Sequence, residues 1–189
     1  MEILKSLLWG KDITREWTRN LRLSIECDLE KNTFCGVALN EPISKLSGLG
    51  PSEDRQKAGR GEFCYYSMGF SVGTDNEKIT DFSFIWDGLP PGKALTPFCG
   101  KFIYRGASIK LGPGIKVDTF ISTFGEPYFN DNDEGEPEST LFYEFGDVEW
   151  QVDFNERKCL YWLLITTPPL LADEKQRQAY KLDRPWPPE

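Results

Sequence analysis

The sequence predicts an α+β protein made of two tandem ββαβββ-type units with antiparallel sheets, one helix per unit, plus an N-terminal helix and a C-terminal tail. Three observations carry this. Apolar and polar residues alternate over several short runs, the mark of half-buried strands. Helical spacing is confined to a few short segments. The order of elements also recurs at nearly constant separation. Leu49-Gly50-Pro51 returns as Phe124-Gly125-Glu126-Pro127, with the glycines 75 residues apart, and Tyr66-Ser-Met-Gly69 returns as Tyr143-Glu-Phe-Gly146, 77 residues on.

Residues 1–20 form an N-terminal segment in which Ile3, Leu4, Leu7 and Leu8 share one helical face. No basic region followed by a long apolar run is present, so a short docking helix is expected rather than a signal peptide. The first unit spans 21–86. Leu21, Leu23, Ile25, Cys27 and Leu29 alternate with polar residues and predict a strand. Lys31-Asn32 turns the chain, and 34–39 returns as a second strand. Pro42 suits a first helical turn. Ile43, Leu46 and Leu49 follow at helical spacing until Gly50-Pro51 stops the helix. Strands are expected at 62–67, 70–72 and 79–86, with reversals at Gly69 and Asp75-Asn76.

Residues 87–97 open with Asp-Gly-Leu-Pro-Pro-Gly and form a linker. The second unit, 98–166, repeats the order. Strands 98–104 and 107–111 flank Arg105-Gly106. Val117, Phe120, Ile121 and Phe124 stand at i, i+3, i+4 and i+7, an amphipathic helix. Strands 140–145, 148–154 and 159–166 follow. In 148–154, Val148, Trp150, Val152 and Phe154 face one way, and Glu149, Gln151 and Asp153 face a polar side expected to be solvated. Trp86 and Trp162 fall in corresponding last strands and are expected in the core. The tail, 167–189, holds a polar helix over 173–182 and an extended Arg184-Pro-Trp186-Pro-Pro segment, with Trp186 strapping it to the body.

The stretch Gly106-Ala-Ser-Ile-Lys-Leu-Gly112, the helix to Phe124-Gly125-Glu126-Pro127, Tyr143 and the hairpin strand 148–154 together resemble small bacterial α+β domains. Similar patterns occur in toxin-immunity proteins and in the tandem repeats of β-lactamase-inhibitor-protein-like domains. The resemblance covers 98–166 well and 21–86 more weakly. It implies a non-catalytic binding domain and assigns no individual residue a role.

The chain holds 22 Lys+Arg, 30 Asp+Glu and no histidine, a net charge of −8. Without His there is no imidazole triad and no His-bearing zinc site. The negative charge opposes non-specific binding to nucleic acid or anionic lipid, and no run approaches a membrane span. Cys27, Cys35, Cys64, Cys99 and Cys159 are odd in number and include no C-x-x-C pair. They are expected as reduced, small hydrophobes in a cytoplasmic protein. No cofactor motif is found.

The charge is concentrated. Residues 117–156 carry twelve acids and no Lys or Arg, a net of −12 that leaves +4 for the rest. Solubility is the plain reading of such a run. The functional reading is an acidic face that steers a basic protein into contact. The candidate partner-binding residues are Tyr128, Phe129, Asp131, Asp133, Glu134, Glu136, Glu149 and Asp153, the aromatics serving as anchors beside the charged rim. A calcium loop starting at Asn130 places its last ligand on Leu141, which fails the requirement for a bidentate acid. A rival reading is a carboxylate-dependent hydrolase using Glu144, Glu149 or Asp153. A third is a structural protein without a small ligand.

Overall fold

The computed structural model describes residues 11–87, 96–131, 138–170 and 174–182. The expected helix over 1–10, most of the linker and the Pro/Trp tail lie outside them. Among the described residues, twelve strands form two sheets. β1 (Glu26–Asp28), β2 (Thr33–Phe34), β3 (Val37–Ala38), β7 (Lys101–Tyr104) and β8 (Ala107–Ile109) make a small sheet in the order β3-β2-β1-β7-β8. β4 (Glu62–Tyr65), β5 (Phe70–Asp75), β6 (Lys78–Ile85), β9 (Phe129–Asp131), β10 (Ser139–Phe145), β11 (Val148–Phe154) and β12 (Leu160–Thr166) make a large one in the order β4-β5-β6-β12-β11-β10-β9. The helices are α1 (Arg55–Ala58), α2 (Val117–Phe124) and α3 (Glu174–Tyr180), with 3₁₀ turns at Ile43–Leu49 and Tyr66–Met68. The class is α+β.

The large sheet is antiparallel throughout. The small sheet is not, because β1 and β7 pair in parallel, Cys27 beside Phe102. The strand expected over 21–29 is only three residues long, and Leu21 is 89% exposed. Alternation there reflects a few buried positions, Cys27 and Leu29 among them, rather than a continuous ladder. Residues 34–39 split into β2 and β3 because Cys35 and Gly36 both take positive φ (50° and 77°), the backbone of a type I′ hairpin. Arg105-Gly106 and Asn76-Glu77 turn the chain in the same way. Residues 11–20 carry turns and no helix.

The small sheet packs on one face of the large sheet. Phe34 is fully buried, with its ring 4.8 Å from Phe70, 5.6 Å from Phe82 and 5.4 Å from Phe84. Phe102 joins this cluster at 5.1 Å from Phe84. Offset and edge-to-face packing of this kind adds to the gain from area burial alone. The helices extend the same layer: Phe120 and Phe124 of α2 pack on Tyr143, Trp150 and Phe154. Ile43, Leu46 and Leu49 are buried from the 3₁₀ turn, where the sequence spacing predicted an α-helix.

Two contacts recur in both halves of the chain. Tyr65 donates its hydroxyl to the Gly50 carbonyl (3.1 Å), and Tyr143 donates to the Gly125 carbonyl (2.9 Å). Both glycines end a helical segment at positive φ, 84° and 91°. The tyrosine that makes this bond in the first half is Tyr65, not the neighbouring Tyr66 of the sequence pattern. The residue entering each helix is also tied to a later strand. Ile79 N donates to Glu41 O and Leu160 N donates to Ile115 O, both at 2.9 Å.

Candidate functional site

The β10–β11 hairpin generates the site by its pleat. Leu141, Tyr143, Trp150, Val152 and Phe154 point into the core, and the next residues along point to the opposite face. On that face Glu144 stands opposite Glu149, and Thr140 opposite Asp153. Two like charges directly across a strand pair repel. The arrangement persists because a third element supplies a cation. Arg177 of α3 forms an ion pair with Glu144, and its guanidinium carbon lies 5.2 Å from the centre of the Tyr128 ring. Tyr128 donates its hydroxyl to Glu149 Oε2, and the Leu170 backbone N–H donates to Glu149 Oε1 at 3.1 Å.

All three carboxylates are therefore interior. Glu149 is fully buried, and Glu144 and Asp153 are nearly so. This corrects the expectation of a solvated polar face, and with it the assignment of Glu149 and Asp153 to a partner-binding surface. Burial pushes the Glu149 carboxyl above its ordinary value, against the lowering effect of Tyr128 and Leu170. Burial likewise raises Asp153, whose Oδ1 accepts from Thr140 (2.8 Å) and Gln151 (3.4 Å). Burial and the neighbouring Glu149 raise the Tyr128 phenol. Arg177 is itself 1% exposed, and among the described residues its Nε and Nη1 have no hydrogen-bond partner.

The other predicted residues divide three ways. Tyr128 and Phe129 are half-buried, and both rings pack against Phe142. They anchor the chain to the sheet. Asp131 is exposed at the end of β9, the outermost strand of the large sheet. Asp133, Glu134 and Glu136 lie outside the described residues. The acids of 117–156 thus do not form one face: Asp118, Glu126, Asp131, Glu138, Asp147 and Glu156 are exposed, while Glu144, Glu149 and Asp153 are sealed. Leu141, the last position of the calcium reading, is a fully buried core residue. Trp86 is in the core as expected, whereas Trp162 is half-buried on the opposite face and donates to Ser83.

Arg177 carries no signal in the sequence, because a cation on a short polar helix reads as solvated. A groove of about 740 Å³, absent from the sequence expectations, lies at the open end of the β7–β8 hairpin. The groove runs between residues 97–100 and 110–115, over Trp86. Its sequence signal was Leu111 and Ile115 set among Gly and Pro beyond the end of a strand, where apolar residues have no ladder to join.

No protein-family model matches the chain, and no curated protein matches it. A solved structure of a DUF4309-family protein (YjgB) from Bacillus subtilis is similar at a TM-score of 0.46 and 11% identity, over 70% of this chain and 82% of that one. That distance assigns neither family nor function. All five cysteines are free thiols. Among the described residues no helix is long and apolar enough to cross a membrane.

Proposed function

We propose that the chain is a non-catalytic protein-binding module that presents an acidic sheet edge to a basic protein. One observation carries the reading. β9 is a sheet edge with Asn130 and Asp131 exposed, and it leads directly into the acidic run Asp131, Asp133, Glu134, Glu136 and Glu138. An edge strand offers unpaired backbone groups to a partner, and charge sets the partner's approach. The Tyr128 and Phe129 rings hold that edge against Phe142. Inhibitor-like or immunity-like binding is the form of this function to which the sequence resemblance points. Free thiols suit a reducing, cytoplasmic setting.

The reading of two related ββαβββ units belongs to the same proposal. Support comes from the strand order, in which β6-β5-β4 and β12-β11-β10 run outward in matching order, with β9 added at one edge. The Tyr65–Gly50 and Tyr143–Gly125 bonds add to it.

The rival hydrolase reading has one point in its favour, the raised carboxyls of Glu149 and Asp153. Their burial and internal hydrogen bonds weigh against it, since a catalytic carboxyl must reach substrate. The test is capture from a lysate of the native host at low and high salt. The expected result is one basic protein that is released as salt rises and is lost on the charge reversal D131K/D133K/E134K. Retention by that variant equal to wild type rejects the acidic edge.

A further inference from the structure

We propose that the groove at the open end of the β7–β8 hairpin binds a small amphipathic anion, an aliphatic carboxylate, with the chain inside and the charged head at Lys101 and Lys110. The volume, about 740 Å³, lies within the range of ligand sites. The floor is apolar. Trp86 and Phe98 are both 5% exposed, and the Trp86 indole N–H is already committed to the Phe98 carbonyl at 3.1 Å. The indole therefore offers carbon, not a donor, to an occupant. Ile109, Leu111 and Ile115 are half-buried and supply aliphatic walls.

The rim fixes the sign of the ligand. Lys101 and Lys110 are both exposed and both border the groove, and among the described residues no acidic side chain lines it. Among the described residues neither groove lysine is in an ion pair. Two uncommitted ammonium groups beside an apolar cavity, in a chain of net charge −8, complement a ligand that is apolar along its length and anionic at one end.

The test is an ¹H–¹⁵N correlation titration of the full chain with octanoate, decanoate and dodecanoate, each held below its micelle concentration. The expected result is saturable shifts at the Gly100, Gly112 and Gly114 amides and at the Trp86 indole N–H. Affinity is expected to rise about four-fold per added methylene, the gain for burying one CH₂ group. Lys101→Gln with Lys110→Gln should weaken dodecanoate about ten-fold, from two partly exposed charge contacts, while leaving the apo spectrum folded. Dodecanoate should also slow alkylation of the exposed thiol of Cys99. Absence of saturable shifts overturns the proposal. So does equal affinity for dodecyltrimethylammonium, or an unchanged affinity in the double variant. Concentration-dependent self-association that Leu111→Glu abolishes makes the groove an interface between copies and likewise overturns it.

Discussion

Replacing one member of the buried Arg177–Glu144 pair should cost far more than replacing both. The two side chains are 1% and 6% exposed, so the ion pair is desolvated and water does not replace a lost partner. Glu144→Gln leaves a buried guanidinium whose Nε and Nη1 already lack partners among the described residues. Arg177→Met removes the guanidinium from Glu144, which stands directly across the strand pair from Glu149. Breaking a buried pair in this way typically costs about 3–5 kcal/mol. The pair is also imperfectly satisfied, each unpartnered buried donor costing about 1–3 kcal/mol. The apolar double variant E144L/R177M removes both charges and both orphan donors, and similar replacements elsewhere are often neutral or stabilising. Urea unfolding at pH 7 on the four-member cycle should therefore give two large single losses and a double variant within about 1 kcal/mol of the parent, a coupling well beyond the additivity limit of about 0.5 kcal/mol. Losses that simply add would show that Arg177 and Glu144 do not depend on each other, and the account of the site would fail.

Three more outcomes follow from the same structure. Asp153 lies above its ordinary value of 3.8, so between that pH and its raised value the folded state holds a proton that the unfolded chain has released. Its contribution therefore worsens as pH rises through this window. Asp153→Asn keeps an Oδ1 acceptor for Thr140 and should be more stable than wild type at pH 7, with the gap closing toward pH 4 in thermal melts. Gly73→Ala should destabilise by roughly 1–3 kcal/mol, because its Cβ would fall 1.9 Å from Asp81 Oδ2. Chemical denaturation should find that loss largely removed in G73A/D81A, and a variant equal to wild type would contradict the close approach. Tyr65→Phe and Tyr143→Phe each delete one hydroxyl bond to a helix-ending glycine carbonyl. Each should lower unfolding stability by about 1 kcal/mol, and a wide disparity between the two would count against equivalent roles.

The strands of the large sheet were legible because their pattern is written in consecutive residues. Val148, Trp150, Val152 and Phe154 alternate cleanly, and β11 runs over that stretch. The short elements were not legible. Two-residue strands such as β2 and β3 have no period to detect, and the parallel β1–β7 pair joins residues about 75 apart in the chain. The 3₁₀ turn at Ile43–Leu49 shows the same apolar spacing as an α-helix, so spacing alone does not separate them. The site failed for a related reason. Alternation says that Glu149 and Asp153 leave the core face, but says nothing of what lies over the other face. The hydrogen bond from Leu170 and the cation of Arg177 come from beyond the last strand of the sheet, with no local signal in the hairpin.

The hairpin carboxylates Glu144, Glu149 and Asp153 are buried, and Glu149 is held by Tyr128 and the Leu170 amide. Carbon-detected NMR titration of the Glu149 carboxyl tests this most directly. The account predicts a midpoint above the ordinary glutamate value of 4.5 and a Leu170 amide shift that moves with the same midpoint. A Glu149 carboxyl that titrates at or below 4.5, with the Leu170 amide indifferent to it, would place the group in solvent and contradict the account.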